Sequence, residues 1–102
     1  MTYNLLEKIK GYDGKNLLIG SEGQKKEETW QEIIATLVNT ITQDTTPEEK
    51  KKIYTITVKA FIKPDLVEYS VEEVALILSQ INKYSALAIV VGEADKFFNK
   101  IS

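Results

Sequence analysis

The chain has no histidine, no cysteine and no arginine among its 102 residues. Without histidine it loses the commonest general base and the commonest metal ligand. Without cysteine it has neither a disulfide staple nor a thiolate nucleophile. Without arginine every cation is a lysine, a point charge lacking the planar fork that grips carboxylate, phosphate or guanine at two points. A histidine-based hydrolytic triad is therefore excluded for Ser21, Ser70, Ser79, Ser85 and Ser102. A metal site would have to be all-oxygen, and no Asp-rich loop of the calcium-binding kind is present. Sequence-specific DNA reading and a phosphate-transfer clamp both lose their usual instrument.

Long apolar runs are missing too. The longest, Ala86 to Val91, falls far short of the roughly 20 residues a membrane span needs. The segment Met1-Thr2-Tyr3-Asn4-Leu5-Leu6-Glu7 has neither the basic start nor the apolar stretch of a signal peptide. Thirteen lysines against fifteen acidic residues leave a net charge of -2, too balanced for bulk attraction to nucleic acid or membrane. A hydrophobic share of 43% and a charged share of 27% are those of an ordinary globular protein. The expectation is one soluble, intracellular domain over residues 1–102, with no cofactor, no metal and no catalytic residue.

What the chain does have is a repeated helix-start signal. Thr29-Trp30-Gln31-Glu32, Thr46-Pro47-Glu48-Glu49 and Ser70-Val71-Glu72-Glu73 each set a hydroxyl three residues before a Glu. The hydroxyl accepts from an unpaired amide of the first turn, and the Glu reaches back to the cap's own amide. The first signal opens a helix from about Trp30 to Ile41, with Trp30, Ile33, Ile34, Leu37, Val38 and Ile41 on one stripe. The third opens a helix from about Val71 to Lys83 on Val71, Val74, Ala75, Leu78 and Ile81. Ser85 reads as a fresh cap for a fourth helix on Leu87, Val90, Val91, Ala94, Phe97, Phe98 and Ile101, packed antiparallel on the third. Gly92 inside that helix costs about 1 kcal/mol relative to Ala and suggests a closely approaching backbone.

The second signal leads into an ambiguous stretch. Across residues 53–62, Tyr54, Ile56, Val58, Ala60 and Ile62 alternate with Thr55, Thr57 and Lys59, which is the period of a strand. The cap flows without a breaker into Lys50-Lys51-Lys52, however, and Pro64 supplies a stop, so helix is preferred. Its apolar residues would then cover well over half the circumference, making it the central, most enclosed element. Residues 1–28 form a separate region, glycine-bearing and without helical period. Tyr12-Asp13-Gly14-Lys15 is a tight-turn sequence between Leu5–Ile9 and Leu17–Ile19, giving a short β-hairpin, followed by a solvated loop over 20–26. Leu66-Val67-Glu68-Tyr69 reads as a short extended piece beside that hairpin. The fold class expected is α+β, mostly helical, with an N-terminal β-hairpin packed on about four α-helices (1–28 hairpin and loop, 29–102 helical part).

Few residues offer a function. Glu27-Glu28, Glu48-Glu49 and Glu72-Glu73 stand at or before helix starts, where negative charge favours the helix dipole, so they read as structural and not as paired catalytic carboxylates. Gly11-Tyr12-Asp13-Gly14 and Gly20-Ser21-Glu22-Gly23 match no phosphate-binding loop and read as turns. Lys50, Lys51 and Lys52 form a possible basic patch, weighed against an ordinary solvated helix face. Leu76 and Ile89 point away from the core stripes of the third and fourth helices. They are the candidates for a protein interface, weighed against scattered surface apolarity or burial under the hairpin.

The stretches Gly11-Tyr12-Asp13-Gly14-Lys15, Val67 through Ile77 (VEYSVEEVALI) and Ala88-Ile89-Val90-Val91-Gly92-Glu93-Ala94 resemble a group of small accessory proteins of tailed bacteriophages and prophages. The resemblance covers most of the chain, which departs from the group's pattern in its longer Lys/Glu loop before the first helix. It supplies no site residues. It implies an accessory protein in the cytoplasm of a bacterial host and favours one that binds another protein, of host or phage. Self-association into a homo-oligomer is expected separately, from the outward placement of Leu76 and Ile89. The leading expectation is thus a non-enzymatic protein that acts by protein–protein contact, conceivably blocking a host protein. A nucleic-acid-associated regulator using Lys50–Lys52, and a virion assembly chaperone or structural subunit, are the alternatives.

Overall fold

All three expected capping boxes form. In the computed structural model, which describes residues 1–20 and 23–99, the hydroxyls of Thr29, Thr46 and Ser70 accept from the amides of Glu32, Glu49 and Glu73. Those glutamates return the bond to the cap amides at 3.2, 3.0 and 2.9 Å. They start α1 (Trp30–Ile33), α2 (Pro47–Ile62) and α3 (Val71–Tyr84). A fourth helix, α4 (Ala88–Phe98), follows after a three-residue connection and packs on α3. The stretch over 53–62 is helical, so the cap and Pro64 prevail over the alternating pattern.

α1 runs on without a break into a π-helical stretch, Ile34–Val38, where the Asn39 amide reaches back five residues to the Ile34 carbonyl at 3.1 Å. The Thr36 hydroxyl donates to the Glu32 carbonyl at 2.9 Å, drawing that acceptor away from the regular ladder. The helix therefore ends at Val38, and Ile41, expected on its stripe, lies exposed in the connection to α2.

Two small antiparallel sheets complete the α+β fold. β1 (Thr2–Tyr3) pairs with β4 (Val67–Glu68), and β2 (Leu18–Ile19) pairs with β3 (Lys26–Glu27). The expected turn is present: Gly14 has a φ of +80°, the Gly11 amide bonds the Lys15 carbonyl, and Lys10 bridges Asn16. Its arms are shorter than the Leu5–Ile9 and Leu17–Ile19 strands read from the sequence. The 20–26 stretch, expected to be loop, ends in a strand instead. The Val67–Glu68 piece joins the first residues of the chain and not the hairpin, correcting the sequence reading.

The core gathers Leu5 and Ile9 from the N-terminal segment with Ile34, Ile56, Ile77, Ile81 and Val90 from the helices. An aromatic cluster ties the ends of the chain together. Trp30 stacks on Phe97 at 5.0 Å between centroids, and Phe98 meets the Tyr3 ring at 5.2 Å. The Tyr3 hydroxyl donates to the Phe98 carbonyl at 2.6 Å, closing the end of α4.

Three further expectations are corrected. α3 buries Val74, Ile77, Gln80 and Ile81, a face rotated from the one expected, and leaves Val71 in solvent, because it packs against both the π-helical stretch and α4. Ser85 does not cap α4. It closes α3, and its hydroxyl accepts from the Leu87 amide at 3.2 Å while Leu87 takes the cap position. Among the described residues nothing lies within 4 Å of a Cβ built at Gly92, so the close approach of a backbone expected there is not seen. Ile101 of the expected α4 stripe lies outside the described residues.

Candidate functional site

Each carboxylate with a clearly shifted titration, Glu28 apart, is a helix cap. The hydrogen bond from Lys26, joined by the Thr29 amide, outweighs desolvation and holds Glu32 below the usual carboxylate range. The Thr46 amide does the same for Glu49. Burial pushes Glu73 up, but the Ser70 amide and Lys59 outweigh it and its carboxyl stays low. Glu28 alone is raised, by burial and by the neighbouring Glu32 charge. Glu32, Glu49 and Glu73 are thus held in the charged form by their caps. Among the described residues no cluster of three acidic side chains could hold a metal ion.

A concavity of about 620 Å³ opens between the end of α2 and the start of α3. Its polar floor is already paired within the chain. The Lys59 ammonium donates to both Glu73 oxygens at 2.9 and 3.0 Å and lies 5.8 Å from the centre of the Tyr69 ring. The Tyr69 hydroxyl donates to the Ile56 carbonyl at 2.7 Å, and burial, with the Glu73 charge second, drives its ionisation well above the ordinary phenol value. Lysine, carboxylate and phenol thus serve to pin α2 to β4 and α3.

A second groove, about 380 Å³, runs along the other flank of α2 and is floored by Ile53 and Thr57. Its walls are Ile41, Tyr54, Val58 and Phe61, with Asn39 and Lys50 at its rim. Tyr54 is 62% exposed, Phe61 55% and Val58 37%. Ile62, one residue beyond, is 77% exposed and turns the same apolar band toward the first concavity. Successive helical residues are about 100° apart, which places Tyr54, Val58, Phe61 and Ile62 on a single arc of about 100°. Ile53, Ile56 and Ala60, the buried residues of α2, occupy nearly the opposite side. α2 therefore carries two apolar faces and covers only one. It touches the π-helical stretch, α3 and β4 on that one side, so it is not the enclosed central element expected from its circumference.

The candidates read from the sequence fall elsewhere. Leu76 and Ile89 are half-buried and pack against the core. Ile89 sits in a hollow beside Tyr12, Leu17 and Leu18, so the hairpin region covers it. Among the described residues the largest group of outward-facing apolar side chains is on α2, with Val71 standing alone at the start of α3. Lys50, Lys51 and Lys52 are all exposed but fan around about 200° of the helix, so they do not make one basic face. Lys50 alone borders the groove, while Lys52 lies close enough to Glu49 to help keep that carboxyl ionised. The signal for the groove was present in the sequence, as residues 54, 58, 61 and 62 at helical spacing.

No helix among the described residues is long and apolar enough to cross a membrane. No family model matches the chain, and no curated protein and no solved structure is detectably similar to it.

Proposed function

We propose that this is a non-enzymatic interaction protein that docks through the outer face of α2. The observation that carries the reading is the uncovered stripe of Tyr54, Val58 and Phe61 beside an apolar groove, on a helix whose other side is already buried. Two aromatic rings more than half in water leave on the order of 200 Å² of apolar surface exposed before the aliphatic neighbours are counted. Patches of that kind, rimmed by polar groups such as Asn39 and Lys50, mark contact surfaces. Tyrosine and phenylalanine at the centre of a patch are the residue types that carry binding energy. The phage or prophage accessory setting rests on the resemblance described above.

A photo-crosslinking residue in place of Phe61 tests the reading in cells that make the protein. The expected outcome is a discrete protein adduct that disappears when Tyr54 and Val58 are also changed to Lys. An identical adduct pattern from a crosslinker at Asn82, on the exposed side of α3, would overturn it.

A further inference from the structure

We infer that the occupant of the outer α2 face is a second copy of this chain, with the two α2 helices crossing antiparallel about a two-fold axis near Val58. The inference rests on the docking reading above and names its partner. A two-fold contact requires a surface complementary to itself, because residue i of one copy meets j of the other and j meets i. The α2 stripe meets that condition. Tyr54 lies four residues before Val58 and Phe61 three after it, so each copy sets its Tyr54 against the other's Phe61. Aromatic pairs at that separation add to the gain from burial alone.

The charges obey the same symmetry. Lys50 and Lys51 stand at the start of α2, eight and seven residues before Val58, and exposed Asp65 lies beyond its other end, in the turn that follows Pro64. Antiparallel pairing brings the lysine-bearing first turns of one α2 beside the turn that holds the other copy's Asp65, at both ends of the contact. Among the described residues, Lys50, Lys51 and Asp65 make no ion pair within their own chain. Lys52 and Lys59, which would oppose like charge, fall away from the stripe at helical spacing, and Lys59 is held by Glu73. Antiparallel packing also sets the positive end of each helix dipole beside the negative end of the other.

The size of the face fixes the strength of the pairing. α2 has 16 residues and is therefore about 24 Å long. One such helix face, with Ile41 beside it, belongs to the small class of interfaces below about 1,200 Å² in total. The dimer is accordingly a reversible one with a Kd on the order of micromolar, not a permanent assembly.

Sedimentation of the full chain from about 5 to about 500 µM tests this directly. The expected result is a rise from the 11.5 kDa monomer towards twice that mass. Phe61→Lys weakens self-association roughly tenfold or more, as loss of a central aromatic does. Asp65→Lys also weakens it, and combining Asp65→Lys with Lys50→Glu and Lys51→Glu restores it. Because the chain has no cysteine, Val58→Cys gives a clean second readout. Mild oxidation links it into a dimer, whereas Asn82→Cys stays monomeric. A protein that is monomeric throughout, or equal crosslinking at both positions, overturns the self-pairing. If the Phe61 crosslinker in cells still yields an adduct with another protein, only the choice of occupant has failed. If it yields none, the docking reading has failed with it.

Discussion

Pro64 has no amide to give to the Ala60 carbonyl four residues earlier, which would leave that acceptor orphaned near the end of α2. The Gln31 side-chain amide fills the vacancy at 3.1 Å from across the fold, so a polar residue of α1 serves the end of α2. The Pro64 carbonyl in turn accepts from the Leu5 amide at 2.7 Å and anchors the N-terminal segment. Gly92 is the opposite case, since it serves no visible purpose where it stands. It lies exposed within α4, and among the described residues nothing meets a Cβ there. Gly92→Ala is expected to stabilise the protein by about 0.5–1 kcal/mol through the entropy lost by the unfolded chain and the better helix propensity. Chemical denaturation checks it, and a destabilised variant would mean that this surface is covered in solution.

Among the elements, the π-helical stretch over Ile34–Val38 is the one with a visible consequence for the groove. Such segments are rare, and they often lie at functional sites. This one ends at Asn39, whose side-chain oxygen accepts from the Thr57 hydroxyl at 3.3 Å and so sets one rim of the groove against α2. The irregular end leaves carbonyls that a regular helix would have paired. Buried Gln80 supplies them, donating to Val38 at 3.2 Å and Thr40 at 2.8 Å. A polar residue on the inner face of α3 therefore holds the shape of the α1–α2 connection. Gln80→Leu is expected to cost about 1–3 kcal/mol, because the buried Val38 carbonyl and the half-buried Thr40 carbonyl lose their donor. A melting temperature unchanged from that of the parent chain would show that the connection is held by other means.

Over the whole molecule, pH acts mainly through the caps. Glu32, Glu49 and Glu73 titrate below their ordinary value of 4.5 when folded. The folded state binds their protons less readily than the unfolded chain does. Their stabilisation is therefore complete above about pH 4.5 and is lost as the pH falls through the lower folded values. Glu28, raised by burial, works in the other direction and offsets part of the loss. At the alkaline end Tyr3 and Tyr69 are held above the phenol value of 10.0 by burial, so the unfolded chain ionises first and stability falls as the pH rises past it. Thermal melts should show a plateau from about pH 5 to about pH 9, with loss on both sides. A melting temperature that holds steady down to about pH 3 would contradict the acidic limb.

The positions of helix starts were legible because capping is local. Thr29, Thr46 and Ser70 each act on a residue three places ahead, and no distant neighbour changes that geometry. The tight turn around Gly14 was legible for the same reason, as was the helical state of the 53–62 stretch once its cap and its proline were weighed against its alternation. Burial was not, because it depends on what arrives from elsewhere in the chain. Leu76 and Ile89 looked outward on a helical wheel, and the core and the hairpin region half-cover them. The β1–β4 pairing joins Tyr3 to Val67, a match of two-residue strands too short to carry a pattern of its own. The composition by itself ruled out histidine, cysteine and arginine chemistry, and the caps by themselves placed three helices. Only the packed chain decided which of the two apolar arcs of α2 would be covered, since a hydrophobic stripe records a need for burial and not the neighbour that meets it.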